Sequence, residues 1–443
     1  MMTRVGTART LRSVTASVLL VGTVLLAGAG VATAHDGKDH RSRHLVVYVS
    51  PFAKPGNSGR SCSRARYSTI QAGVEAAPAW GLVEVCRGTY VEDVVVAKPL
   101  SLRGHRAVIS GSPTANAMCD QLGASGPGSA PCLAGLTIKS SHVHVEGFTV
   151  QNAIGEGILV TGSLAGGSIS DVKVLRNKVV GNNTGGIPPT SSSPYPQCSA
   201  FGEVPGDCGE GIHLMGVGSS LVAGNDVSGN EGGILLTDEF GPTHDNHIEG
   251  NVVTRNAFDC GITVPGHNPF ALDASGKRQP AVAGVYRNVI RHNRVTFNGL
   301  QGEGAGVLFA NAGPGTGSYD NLVEDNYLAG NALAGVTMHA HTIAPGKFED
   351  LSGNKIVDNV IGQNNVGSPV AGPGDSLDGP PATDPFTTGI VVFSGSVPLH
   401  VQIEDNHIFD NHYGVWKGIN GNVHAVLDDN SFRHVDIKVF TYS

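Results

Sequence analysis

The sequence predicts an all-β fold of short strands wound into repeated coils, three strands to a coil. An asparagine returns every five residues: Asn246, Asn251 and Asn256; Asn288, Asn293 and Asn298; Asn321, Asn326 and Asn331; Asn354, Asn359 and Asn364. Shorter versions keep the last two members, at Asn177 and Asn182, Asn225 and Asn230, and Asn406 and Asn411. One apolar residue holds a fixed place in each step: Val174, Val179, Val222, Val227, Ile248, Val253, Ile290, Val295, Val323, Leu328, Ile356, Ile361, Ile403 and Ile408. A third apolar strand then opens with glycine, as in Gly157-Ile158, Gly233-Ile234, Gly261-Ile262, Gly306-Val307, Gly335-Val336 and Gly389-Ile390.

A five-residue step with one apolar side chain does not match the 3.6-residue period of an amphipathic helix. It fits a strand of about three residues and a tight bend, with Asn expected at the bend, where it tolerates left-handed backbone angles. Stacked amides would satisfy one another along such bends. The central asparagines are spaced by 48, 26, 42, 33, 33 and 47 residues, so the shortest spacing approximates a bare coil and the excess loops out. Such repeats form a core only when stacked, each coil rising about 4.8 Å. On these motifs the chain resembles a right-handed parallel β-helix of the pectin-lyase-like superfamily, over nearly all of the mature sequence. That superfamily holds lyases, hydrolases, esterases, epimerases and non-catalytic proteins, so the resemblance implies a fold and not an activity.

Residues 1–34 read as a secretory signal peptide: Arg4, Arg9 and Arg12 precede the apolar stretch Val14 to Val31, and Ala32-Thr33-Ala34 supplies a small-residue cleavage site. No later segment is long and apolar enough to span a bilayer. Cleavage moves the formal charge from −8 to −11, which argues against a nucleic-acid partner. The expected state is a secreted, extracellular monomer. Seven cysteines in an exported chain suggest disulfides. Proximity pairs Cys62 with Cys86, Cys119 with Cys132 and Cys198 with Cys208, leaving Cys260 as a buried thiol.

Residues 35–44 form a polar, flexible leader. Residues 45–443 read as one β-helix domain. Tyr67 to Ala77 has helical apolar spacing after a Ser/Thr start and predicts a short capping helix that shields the open end of the core. The strands of Gly81–Tyr90, Asp93–Val96 and Pro99–Gly104 follow. This opening, with Gly147-Phe148-Thr149-Val150, resembles the start of pectin methylesterases, but their Asp-Phe-x-x-Gly catalytic segment has no counterpart. Gly/Pro/Ser-rich insertions interrupt the coils near 187–210, 266–284 and 366–388, where loops on a rigid solenoid form binding rims.

Aligning the third strands on their glycines brings polar residues into columns. Glu239 and His267 become neighbours at one level, with His341 two coils along the same column. Asp238 and Asn311 fall in the adjacent column, His339 in the one before it, and Asp259 just before Gly261. Asp238, Glu239, Asp259, His267, His339 and His341 are therefore the candidate catalytic residues. Removing the proton α to a uronate carboxylate needs a base and a cation for the enolate, with Lys277, Arg278 and Lys417 as possible sources of charge. A glycosidase needs two flanking carboxylates, but the hydrolase family's Gly-His-Gly segment is absent. The metal ligands are unassigned, and a divalent cation such as calcium is the cofactor to test. The reading is a carbohydrate-active protein on an extended polysaccharide, most simply a polysaccharide lyase or epimerase acting on a uronate-containing glycan. The alternatives are a non-catalytic glycan-binding or surface protein, and a copper-binding β-helix protein of the kind that matures nitrous-oxide reductase.

Overall fold

The computed structural model of the protein describes residues 46–112, 134–163, 167–184, 209–302, 304–340, 347–367, 386–394, 397–418 and 422–442. Three parallel ladders in one long sheet carry the three strands expected of each coil, and a shorter fourth ladder of five strands, Ile169–Ser170, Val217–Gly218, Thr243–His244, Val285–Tyr286 and Ser318–Tyr319, adds a further strand to the middle coils. In the first, Val174, Val222, Ile248, Ile290, Val323, Ile356 and Ile403 stand in register. In the second, Val179, Val227, Val253, Val295, Leu328, Ile361 and Ile408 do the same. All fourteen are buried in one continuous core. The third ladder stacks the glycine-led strands, among them Ile158–Thr161, Ile212–Met215, Ile234–Thr237, Ile262–Gly266, Val307–Asn311, Val336–Ala340 and Thr388–Ser394.

The bends differ from expectation in one respect. The left-handed residue is the one before the asparagine: φ is 53° at Arg287, 56° at His292 and 60° at Phe297. This turns each Asn side chain inward, where Asn288, Asn293 and Asn298 are at most 2% exposed. Asn293 shows the bonding. Its Nδ2 donates to Asn326 Oδ1 at 3.0 Å and to Ile248 O at 2.8 Å, while its Oδ1 accepts from the backbone N–H of Asn251 at 2.9 Å and from Asn251 Nδ2 at 3.0 Å. Both amide donors and both acceptor sites are used, so a polar group sits in the core at little desolvation cost. One such ladder runs from Asn177 to Asn430 without a break.

The first turns carry the cap. Helix Ile70–Ala76 starts at Thr69, whose hydroxyl accepts from the Ala72 N–H at 3.3 Å. The Glu92 carboxylate takes the Ile70 and Gln71 N–H groups at 2.7 and 3.0 Å, a favourable charge for a helix N-terminus. Gly73 lets the helix lie flat on the first coil, since a methyl there would come within 2.3 Å of Val49 Cγ2. Cys62 and Cys86 form a disulfide beside it, as the spacing suggested, and Cys260 is a buried free thiol. The other two proposed pairs lie outside the described residues, as do most of the insertions near 187–210 and 366–388. No helix among the described residues is long and apolar enough to cross a membrane.

Candidate functional site

Strand Ile234–Thr237 sends Ile234 and Leu236 into the core, so alternation turns Leu235 and Thr237 outward. Those two are nevertheless fully buried, which means that this outer face is covered. The 266–284 loop leaves strand Ile262–Gly266 at one end of this face. On the outer face Leu159, His213, Leu235, Thr263 and Leu308 form one register row. Pro265, Ala310, His339 and Phe393 lie in the next row out.

A polar chain crosses this face. His267 Nδ1 meets Glu239 Oε1 at 2.6 Å, with the two side chains 1% and 2% exposed. Burial alone would raise the Glu239 carboxyl, but the His267 imidazole beside it, its hydrogen bond, His213 and the Thr237 hydroxyl together pull it below the usual carboxylate range. Glu239 is therefore the acceptor and His267 Nδ1 carries the proton. His213 Nε2 lies 2.8 Å from Thr237 Oγ1, and His213 Nδ1 lies 2.6 Å from Glu156 Oε1. Two imidazole–carboxylate pairs, Glu156–His213 and Glu239–His267, thus lie on this face, with the Thr237 hydroxyl against the first.

Asp238 has a bracing place. Its Oδ1 accepts from the backbone N–H groups of His267 and Asn268 at 2.8 and 3.0 Å, and its Oδ2 from Gly284 at 2.6 Å. It ties both ends of the 266–284 loop to the coil beneath. Burial, together with the Glu239 charge, pushes its carboxyl up to about 7, against the pull of the Asn268 and His267 N–H groups. The loop is held again by Arg278, which bonds Asp350 and Asp320 at 2.6 and 2.5 Å and lies 4.0 Å over the Tyr319 ring. Arg278 is therefore a loop brace, and Lys417 lines a separate groove near His400 and His424.

The remaining candidates lie apart. Asp259 precedes strand Ile262–Gly266 and His267 follows it, so the whole strand separates them. Asp259 Oδ2 instead accepts from Thr263 Oγ1 at 3.3 Å. His339 is buried two coils from Pro265, roughly 10 Å along the axis. His341 lies outside the described residues.

The sequence reading passed over Glu156, Glu210, His213 and Thr237. One ligand atom from each of Glu156, Glu210 and His213 lies within 4.8 Å of the others, and all three residues are buried. Their signal was present before the recurrent glycine step rather than after it: Glu156-Gly157 and Glu210-Gly211 put a carboxylate at the same place in successive coils. His213 also takes an outward position that Leu159 and Leu235 fill on either side.

The ladders, the amide stacks and the loop-covered polar face define a right-handed parallel β-helix protein of the pectin-lyase-like superfamily. The chain belongs to the NosD family, described as a periplasmic copper-binding protein, whose model matches residues 135–367. Among solved structures it is similar to the A-module of mannuronan C-5 epimerase AlgE4 from Azotobacter vinelandii, with 15% identity, TM-score 0.52, and 85% of this chain and 94% of that one covered. The AlgE6 A-module from the same organism gives 16% identity, TM-score 0.52, and coverage of 84% and 91%. At such identities the likeness is one of fold. No curated protein matches the chain at a significant level.

Copper can be tested against the donors on this face. Copper(I) favours thiolate, thioether and imidazole. The Glu156, Glu210 and His213 group offers carboxylate oxygen and a single imidazole. The thioether on the face, Met215, pairs in register with Thr161 and Thr237, on the far side of His213 from both glutamates. Cys260 is buried, with its thiol pushed up by burial and by Asp259. This donor set does not fit copper(I).

Proposed function

We propose that the protein removes the C5 proton of a uronate residue in an extended acidic polysaccharide, as an epimerase or a lyase. The observation that carries this reading is the buried Glu239–His267 pair. With Nδ1–H donated to Glu239, the basic lone pair is on His267 Nε2, and the carboxylate fixes the ring and steadies the imidazolium once a proton arrives. In the proposed step the C5–H bond breaks, the proton passes to Nε2, and the electron pair spreads onto the uronate carboxylate. A proton delivered by water to the opposite face gives the epimer. Departure of the C4 oxygen, which takes a proton from water as its bond breaks, gives the unsaturated product, and His267 returns its proton to solvent.

Burial serves this chemistry by strengthening the imidazole–carboxylate interaction. It also means that substrate must displace part of the cover, for which the Asp238-anchored loop is the candidate. The reading has the protein working outside the cytoplasm, in keeping with its disulfide and with a family described as periplasmic. The test is incubation with alginate, pectate and glycosaminoglycans in D2O. Deuterium at C5, with or without new absorbance near ~235 nm, supports proton abstraction. No incorporation on any uronate polymer overturns it in favour of a binding protein.

A further inference from the structure

We infer that Glu156, Glu210 and His213 form a site for a divalent cation of the zinc or manganese type. The inference does not depend on the proposed activity. It starts from a juxtaposition that stacking imposes: these residues come from two successive third-ladder coils, and a ligand atom from each lies within 4.8 Å of the others. Glu210 and His213 are fully buried and Glu156 is 9% exposed. Glu156 pairs with the His213 imidazole, and Glu210 brings a second carboxylate to the same buried place.

A second observation concerns space. Gly232 lies on the next coil, where a methyl would fall 3.1 Å from Glu210 Oε1 and 3.2 Å from Asp259 Oδ2. A glycine here leaves room between carboxylate oxygens of the coils on either side of its own. Glu231 Oε2 borders the same strip, 2.7 Å from where a methyl on Gly209 would lie. Acidic oxygen therefore continues along the start of the strands from Glu156 to Asp259.

The third observation is the state of His213. Its Nε2 faces the Thr237 hydroxyl at 2.8 Å, and its Nδ1 faces Glu156. A ligating histidine is commonly oriented in this way by a partner on its other nitrogen. Between Nδ1 and Glu156, now 2.6 Å apart, a proton or a metal ion must sit. Ligands about 2.1 Å from a tetrahedral ion stand roughly 3.4 Å apart, so the pair would open by less than 1 Å or so to admit one. Oxygen-rich donors with one imidazole suit zinc or manganese.

The experiment uses the full chain, stripped with chelator and titrated with Zn(II) by calorimetry, with metal content measured after desalting. The expected result is one tightly held ion per chain, with affinity falling roughly 100-fold or more in Glu210→Gln and His213→Gln. Gly232→Ala fills that room without changing charge and should also weaken binding, which separates occupancy from electrostatics. Circular dichroism checks that each variant is folded. Met215→Leu should leave zinc unchanged. The inference is overturned if wild type holds no stoichiometric zinc. It is equally overturned if the folded Glu210 and His213 variants hold as much as wild type, or if copper(I) displaces zinc in a Met215-dependent way. None of these readouts requires activity on a polysaccharide, so failure here and failure of the catalytic reading are distinguishable.

Discussion

Glu239 and His267 stand 28 residues apart in the chain and 2.6 Å apart across neighbouring coils, both buried. Their value to stability and to chemistry can be separated. His267→Gln takes the imidazole donor from the buried Glu239 carboxylate and should cost about 3 kcal/mol. Glu239→Gln/His267→Gln removes the buried charge as well and should regain much of that loss. C5–H exchange should fall by about 10²–10⁴ in both variants. Parallel unfolding curves and deuterium-exchange rates check this. Exchange that recovers along with stability would make the pair structural.

Asp238 should control the loop above His267. Asn in its place keeps one acceptor for the His267 and Asn268 N–H groups but turns an NH2 toward the Gly284 N–H, which now bonds the carboxylate at 2.6 Å. The 266–284 loop should then open, and trypsin should cut after Lys277 or Arg278 in Asp238→Asn faster than in wild type. The pH dependence follows from the raised carboxyl. The folded state holds that proton up to about pH 7, while the unfolded chain releases it near ~4. Between those values the native state binds more protons, so this group's contribution to stability falls as pH rises, by at most about 4 kcal/mol. Denaturant midpoints from pH 4 to 7 should show that slope in wild type and lose it in Asp238→Asn.

Most of the fold was legible because a stacked coil writes its register into the chain. Val295 and Leu328 hold equivalent places in their repeats and pair directly. The same alignment brought Glu239 to His267. It was less informative where the backbone does the work. Asn was expected to take the left-handed angle, whereas the Asp, Arg, His, Phe or Gly before it does so and frees the amide for the core. Glu156 and His213 were not legible as a pair because 57 residues separate them and Glu156 precedes its third strand, whereas the aligned polar columns lie at the strand ends. Arg278 looked like substrate charge because its partners, Asp320 and Asp350, come from later coils.

The amide ladder makes a graded prediction. Asn293→Ala removes a side chain that serves Asn251, Asn326 and Ile248 at once. Several buried groups lose partners together, each costing about 1–3 kcal/mol, so the expected loss is on the order of 4 kcal/mol. Asn430 ends the ladder in a half-exposed coil, where water can replace it. Asn430→Ala should cost about 1 kcal/mol. Equal losses in chemical denaturation would contradict the ladder as the source of the cost.

The Cys62–Cys86 bond should act on one end of the solenoid only. It closes a loop with a sequence separation of 24, for which loop-closure entropy gives about 3.5 kcal/mol. A solenoid distributes stability coil by coil, each unit contacting its neighbours. Cys62→Ser/Cys86→Ser should therefore loosen the helix Ile70–Ala76 and the strand Val46–Val49 that it covers. Amide exchange at Val47 should quicken by roughly two orders of magnitude. Val323, far along the ladder in the middle of the Asn stack, should keep its protection. A matching loss at Val323 would mean that the coils unfold as a single unit, and the end-localised account would have to be abandoned.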